Sequence, residues 1–341
     1  MTSNLVLITN ESIFEKDDNF YCDNIDIKSI PEGLNKNLEV LMIGRQSKVD
    51  RSHKINLIKT RVASNIFMFL FFIFKTFKNK ENKYLLISIT PYTFFACLLL
   101  VIYGKKKFVY LRSNGYEEYR HVLGFLGLLF YHIMFTIASW KTNLISCRSH
   151  ILRGKSGKVV SPSQLSEKWF ASRQKPSLDK IKLLYVGRMR IEKGIFSLLG
   201  IFANLKMNAE LSIVCTGTNS TNKKINQKNV NVTSFENKND SIIKIYDEHN
   251  ILILPSFTEG HPQVLDESLS RLRPVIVFEE IYHVIRNREG IFICERNSVS
   301  LHNTINHIIS NFHLIEKKIT QNVLPTKEKF LKQMLNIIED N

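Results

Sequence analysis

The sequence predicts an α/β protein made of two successive Rossmann-like halves, each a parallel sheet with helices on both faces. Three observations carry this. The chain has 341 residues and 44% hydrophobic content, enough for two cores and more than one core normally holds. Short apolar runs alternate with longer apolar or amphipathic ones, the βαβ pattern of a doubly wound sheet. Two apolar runs in the second half each end in a Gly-containing loop that opens a helix.

In the first half the predicted strands are Leu5–Ile8, Leu38–Ile43, Tyr84–Ser88, Phe108–Leu111 and Leu144–Ser146, with helices over Ser64–Phe77, Pro91–Tyr103 and Glu117–Trp140. After a polar stretch, Arg173–Lys180, the second half offers strands at Lys182–Val186, Glu210–Cys215, Val230–Thr233, Ile251–Leu254 and Pro274–Val277, and a last helix over Lys327–Ile338. The expected division is 1–172 for the first domain, 173–326 for the second and 327–341 for the closing helix. No repeat of 20 to 50 residues is visible.

Composition narrows the function class. A net charge of +16 calls for anionic partners: nucleic acid, lipid headgroups or phosphorylated substrates. The lysines are spread, without the interleaved aromatics of a nucleic-acid-binding box, so no nucleic-acid partner is expected. The five cysteines, Cys22, Cys97, Cys147, Cys215 and Cys294, are odd in number and lack a CxxC pair, which indicates neither a disulfide framework nor a zinc site. The N-terminus has no signal-peptide pattern, and a cytoplasmic location is expected. Three apolar segments, 65–74, 93–103 and 122–138, fall short of the roughly 20 residues needed to span a bilayer and read as crossover helices. Lys75, Lys78, Lys80 and Lys83 follow the first, and Lys105, Lys106 and Lys107 the second, so apolar surface and cationic charge could together seat the first half on an anionic leaflet.

Two segments carry chemistry. Pro255-Ser-Phe-Thr-Glu259-Gly260-His261-Pro262-Gln-Val-Leu-Asp-Glu267 follows the apolar run Ile251–Leu254 and enters a helix. A strand ending at a helix N-terminus aims backbone N–H groups and the positive helix pole at a bound anion. Glu259 and Glu267 flank the turn, placed to hold hydroxyls on either side of a phosphate. Gly260 permits close backbone approach, and the fixed φ of Pro262 suits a first helical turn. Leu183-Leu-Tyr-Val-Gly187-Arg188-Met-Arg-Ile-Glu-Lys193-Gly194 places a cationic loop at the carboxyl end of another strand, where ligands of open α/β sheets bind. Two cations there could hold an anionic, phosphorylated ligand. Asp23-Asn-Ile-Asp26 has the wrong spacing and context for a metal-binding Asp-x-Asp pair.

The Glu-x7-Glu pair, in its Pro-Ser-x-x-Glu-Gly-x-Pro setting, resembles the signature of retaining GT-B glycosyltransferases of family 4, which build bacterial surface polysaccharides. Gly-Arg-x4-Lys-Gly, upstream in the expected order, resembles that family's diphosphate loop. The resemblance covers residues 181–280 most clearly and 84–170 by the order of elements, where Val159-Val-Ser-Pro-Ser163 resembles the last strand and loop before the second domain. It implies a GT-B fold, two Rossmann-like domains with parallel sheets facing across a cleft. It also implies transfer of a hexosyl-type unit, with retention, from a UDP- or GDP-sugar to a glycan or glycolipid acceptor in capsule, O-antigen or lipooligosaccharide assembly. No cofactor and no metal is implied as required.

Residue by residue, the resemblance gives Arg188 and Lys193 the donor diphosphate, Glu259 the transferred sugar and Glu267 the donor ribose. Gly187, Gly260, His261 and Pro262 would line the donor site, His261 through its backbone. Thr216 and Gly217 follow a strand at the same site, and Glu236 stands where the family often has a Gly near the nucleobase. On the acceptor side, Arg112, Asn114 and Gly115 occupy the place of the family's His-containing loop, with His121 further into the helix. The family's Gly-rich loop after the first strand is missing: Thr9-Asn10-Glu11-Ser12 stands there. Peripheral attachment to the cytoplasmic face of the bacterial inner membrane would follow. Rival readings are a nucleotide-sugar epimerase or a phosphorylase on the same architecture, or a non-enzymatic basic protein that binds membrane or nucleic acid.

Overall fold

A computed structural model of the chain describes residues 4–57, 59–215, 225–234 and 239–340. Two domains are present, one of Met1–Pro162 with Glu328–Asn341 and the other of Ser163–Lys327.

The first domain runs β1 (Asn4–Lys16), β2 (Asn19–Cys22), α1 (Ile25–Leu34), β3 (Glu39–Gln46), β4 (His53–Ile55), β5 (Thr60–Ala63), α2 (Ile66–Lys75), β6 (Lys83–Ile87), α3 (Pro91–Ile102), β7 (Lys107–Leu111), α4 (Gly115–Ala138), β8 (Asn143–Ser146) and β9 (Gly157–Val159). The order β5-β3-β1-β6-β7-β8-β9 is parallel throughout. β1 is much longer than the predicted Leu5–Ile8. It shifts register between Ile8 and Ser12, continues, and pairs through Phe14–Lys16 with β2, which in turn pairs antiparallel with β4. The short strands β2, β4 and β5, with no long apolar run of their own, are additions to the predicted set, as is α1; β9 ends at Val159, where the resemblance placed a last strand.

One sheet face packs under α2, α3 and α4 through Phe69, Ile73, Cys97, Leu100, Met134 and Phe135. The predicted Glu117–Trp140 helix begins at Gly115 and is interrupted at Gly124, whose φ of 63° and ψ of −144° are outside helical geometry. The other face carries Ile27, Ile30 and Leu34 of α1.

The second domain runs β10 (Ile181–Gly187), α5 (Ile195–Ala203), β11 (Ala209–Cys215), β12 (Val230–Ser234), α6 (Asn239–Asp247), β13 (Ile251–Leu254), α7 (Gln263–Ser270), β14 (Val275–Phe278), β15 (Ile291–Cys294), α8 (Ser298–Ser310) and α9 (Phe312–Ile319). Its six strands, ordered β12-β11-β10-β13-β14-β15, are all parallel. Every residue of β13 and β14 is buried, as expected of strands covered on both faces. Pro274 lies just outside β14, and β15, α8 and α9 extend the predicted set.

The closing helix α10 (Lys327–Glu339) is an amphipathic helix that buries Phe330, Met334 and Ile338 in the first domain's core. Lys83 Nζ donates to the Ile338 carbonyl at 2.6 Å, and Ser161 N–H donates to Gln333 Oε1 at 3.0 Å.

Candidate functional site

In a doubly wound sheet, the loops after the two central strands leave towards opposite faces, and a crevice opens between them at the carboxyl edge. In the second domain that switch point lies between β10 and β13. Both sequence motifs follow these two strands.

Their loops touch. Gly194, at φ 66°, sits so close to the β13 loop that a Cβ would stand 1.8 Å from the Pro255 carbonyl oxygen, so no larger residue fits. Phe257 N–H donates to the Glu192 carbonyl at 3.0 Å. This crossing brings Lys193 Nζ to Glu259 Oε1 at 2.6 Å, with side chains only 22% and 9% exposed. Ser256 Oγ donates to the same carboxylate oxygen at 2.6 Å, and His283 Nε2 lies 2.9 Å from the Glu259 carbonyl oxygen. An ammonium has three N–H donors, so Lys193 can hold Glu259 with one and an anion with others.

Arg188, just past β10 and Gly187, is exposed. The Tyr185 hydroxyl donates to the Arg188 carbonyl at 2.8 Å. Burial pushes the Tyr185 phenol above its usual pKa; the Glu259 carboxylate adds to the rise and the Arg188 guanidinium opposes it. Arg188 and Glu259 thus act on one phenol at one sheet edge.

Glu267 is on the second turn of α7, partly buried, and accepts a 2.7 Å hydrogen bond from the Tyr246 hydroxyl at Oε2. Desolvation raises its pKa to about 7, with Asp266 adding to the rise and the Tyr246 bond opposing it. Tyr246 is itself fixed from behind. Arg271 makes a bidentate bond to Asp247 at 2.8 Å to each oxygen, and donates to the carbonyls of Trp169, Ala171 and Ser172. Arg273 donates to the carbonyls of Tyr246, His249 and Asp247. Both guanidiniums are almost fully buried. The predicted polar stretch is docked at its start: Arg173 Nε donates to the Ser270 carbonyl at 2.9 Å, and the Gln174 carbonyl accepts from Arg273.

Gly260 is in the turn, and Pro262 precedes α7 as its N-cap residue, with extended ψ of 110°, rather than standing in the first turn. Inside that turn the His261 ring is 4% exposed, its Nε2 3.3 Å from Asp266 Oδ2, and Arg286 lies 3.3 Å from Nδ1. Asp266, fully buried, pairs also with Arg288. The His261 side chain thus lies buried against the first turn of α7. Arg296 fixes the other side of the β13 loop. Its guanidinium lies over Phe257 and Phe278, 4.2 and 4.4 Å from their centroids, and donates to Pro255 O at 3.0 Å and to both Glu280 oxygens. The Asp247–Arg271–Arg273 cluster and Arg296 were not singled out from sequence. Buried arginines with no motif leave no local pattern, though Arg-Leu-Arg after an amphipathic helix was a signal. Thr216, Gly217 and Glu236 lie outside the described residues.

In the first domain the switch point is between β1 and β6. Arg112 follows β7 and pairs with Asp26 in the first turn of α1, at 3.2 Å. Asn114, buried, is the N-cap residue of α4, and its Nδ2 donates to Glu117 at 2.6 Å. A Cβ on Gly115 would run into the Tyr131 ring. Asn114 and Gly115 therefore shape the start of α4, in which His121 also lies. Glu11, within the register shift of β1, was read from sequence only as part of the segment that replaces a Gly-rich loop. It is partly buried; desolvation raises its pKa, and the Arg112 guanidinium opposes the rise.

Residues 180–311 match the family described as Glycosyl transferases group 1. The architecture of the chain is that of GT-B glycosyltransferases. HepE of Anabaena, solved in complex with UDP-glucose, superposes with a TM-score of 0.70 at 11% identity, covering 98% of each chain. WaaG, a glycosyltransferase involved in lipopolysaccharide biosynthesis, gives 0.69 at 14% identity, over 98% of this chain and all of its own. Sucrose-phosphate synthase from Thermosynechococcus elongatus gives 0.65 at 15%, over 99% and 97%. At these identities the likeness establishes the GT-B fold alone. Comparison with curated proteins finds no match. Among the described residues no helix is long and apolar enough to cross a membrane.

Proposed function

We propose that this glycosyltransferase-fold protein moves a hexosyl-type unit from a UDP- or GDP-sugar to a lipid-linked glycan, with retention of configuration. The observation that carries the reading is the Lys193–Glu259 contact at the switch point of the second sheet, with Glu267 on the helix that follows. Cation, sugar-gripping carboxylate and ribose-gripping carboxylate lie along the loop-to-helix path that a sugar nucleotide would occupy. The group 1 family match over residues 180–311 supports it, as does the binding of UDP-glucose by HepE.

In the proposed reaction the bond between the anomeric carbon and the diphosphate oxygen breaks, and its electron pair leaves with the phosphate. Arg188, Lys193 and the N–H groups opening α5 and α7 stabilise that charge. The acceptor hydroxyl forms its bond on the face just vacated, and its proton passes to the departing phosphate oxygen. Glu259 orients the sugar hydroxyls; Glu267, ionised, accepts from the ribose. Arg188, Lys193 and Glu259 are the catalytic set. Gly187, Gly260, His261, Pro262 and Glu267, with Thr216, Gly217 and Glu236, form the donor site, and no metal is required. Arg112, Asn114, Gly115 and His121 belong to the acceptor side.

The acceptor is read as a glycolipid of surface-polysaccharide assembly on the cytoplasmic face of the inner membrane. WaaG's role in lipopolysaccharide biosynthesis and the basic first domain support this. The test is a thermal-shift panel of UDP, GDP, CMP and their sugar conjugates, followed by transfer assays with the sugar nucleotide that binds. One nucleotide should raise the melting temperature, and Glu267→Ala should abolish the shift. If no nucleotide shifts the wild-type protein, the reading fails. Product with inverted anomeric configuration would remove the retaining mechanism alone.

A further inference from the structure

α4 is two helices folded against one another. Gly124 breaks it, and the halves pack antiparallel. The Tyr116 ring lies 4.9 Å from Tyr131 and 5.6 Å from Phe135, and its hydroxyl is 2.9 Å from His132 Nδ1. Tyr119 meets Phe130 and Tyr131. Residues 15 apart in a straight helix would be roughly 22 Å apart, so only a hairpin brings these rings together. Gly127 lets it close, since a Cβ there would stand 2.1 Å from the Tyr119 carbonyl oxygen.

The free end of the hairpin is apolar and in water. Val122, Phe125 and Leu126 are 78%, 77% and 74% exposed, and Leu123 is exposed beside them. The apolar surface continues along the second half through Leu129, Phe130 and Ile133. In the same helical layer α3 exposes Phe95 and Ile102, and α2 exposes Phe67, Phe71 and Phe74. An apolar patch of this extent marks a partner surface. Its charge selects the partner. On these helices and the segments that follow them, Lys75, Lys78, Lys80, Lys106, Arg120 and Lys141 are exposed, against Glu81, Glu117 and Glu118. Lys75, Lys105 and Lys141 stand over the rings of Phe71, Phe77 and Trp140, at 4.4, 5.3 and 5.0 Å, cations at the margin of aromatic surface. Two copies of so basic a face repel each other. An anionic bilayer satisfies both features, acyl chains for the apolar end and headgroups for the lysines.

We infer that the α4 hairpin is a membrane-seating finger, its end Val122–Leu126 inserted among the acyl chains of an anionic bilayer and the lysines at or just beyond the carboxyl ends of α2, α3 and α4 lying at the headgroups. This names the inserting element behind the membrane location proposed above, and it holds or fails without any sugar transfer.

The test is co-sedimentation with phosphatidylglycerol-containing vesicles and with neutral phosphatidylcholine vesicles. The full chain should partition to the anionic vesicles, and F125E/L126E should weaken partitioning by more than about tenfold. Because both side chains face solvent, the variant should keep its melting temperature and any nucleotide-induced shift. Independently, Phe125→Trp should show fluorescence quenching by lipids brominated along the acyl chain. Unchanged sedimentation of F125E/L126E, or no quenching of the Phe125→Trp protein on vesicles it binds, would overturn the inference. So would a wild-type dimer that F125E/L126E dissociates in the absence of lipid, since a second copy would then cover the face. A missing nucleotide shift in both proteins would count against the donor reading only.

Discussion

The two sheets share a topology and differ in what stands at their switch points. Between β10 and β13 the loops cross at Gly194 and Pro255, and a lysine meets a glutamate. Between β1 and β6 the corresponding loop belongs to a strand that continues past its register shift into a β2–β4 flap, and it carries Glu11, whose carboxyl is desolvated and faces the opposing charge of Arg112. Topology supplies a place for a ligand twice; at the second, Lys193 meets Glu259, and buried Arg271 and Arg273 fix the segment that carries Tyr246 beside Glu267. The lesson is that the support, more than the strand order, distinguishes the proposed donor site from its counterpart in the first sheet.

The sharpest way to break this comparison is to remove the support. Asp247→Ala leaves the Arg271 and Arg273 guanidiniums buried without their carboxylate and should cost about 3–5 kcal/mol of stability by denaturant unfolding. A cost near that of a surface substitution would mean that the network is not what holds Tyr246 and Glu267. Next in size, Lys193→Ala should lower kcat for transfer on the order of 100- to 1,000-fold, as loss of a charge-stabilising donor does, with little change in acceptor KM. Equal loss in donor affinity and in rate would instead assign Lys193 to ground-state binding.

The third prediction sharpens the comparison through pH. Glu267 has a folded pKa of about 7, above its ordinary 4.5. Between these values the folded state keeps a proton that the unfolded state has lost, so this group's contribution to stability falls as pH rises through the window. Nucleotide affinity should move the other way, rising towards and above pH 7 as the carboxylate ionises. Melting curves and nucleotide titrations from pH 5 to 8 should show both slopes in the wild type and flatter ones in Glu267→Gln. The smallest effect belongs to the first domain. Arg112→Gln breaks a partly exposed pair with Asp26 and should cost under about 1 kcal/mol, leaving the nucleotide-induced thermal shift unchanged. Loss of that shift would end the assignment of Arg112 to the acceptor side.

Much of the architecture was legible because buried parallel strands are written as continuous apolar runs. Ile251–Leu254 matched β13 residue for residue, and the other predicted strands after β1 differed from the observed ones by a few residues at most. The site motifs were legible for a related reason: a strand, a glycine and a helix N-terminus are adjacent in sequence. The Lys193–Glu259 contact spans 66 residues and was reached only by way of the resemblance. What sequence missed is non-local or short. β2, β4 and β5 have three or four residues and owe their form to pairing partners. The α4 hairpin read as one helix because Gly124 is a single residue in an otherwise helical pattern, and a positive φ leaves no periodicity to read.

The docking of α10 bears on how the protein is made. Phe330, Met334 and Ile338 fill a core whose other walls come from residues before 163. A ribosome therefore releases the beginning and the end of this domain at opposite times, with the whole second domain synthesised in between. The nascent first sheet waits with Tyr110 and its neighbours uncovered on that face, a long-lived apolar surface for chaperones to mask.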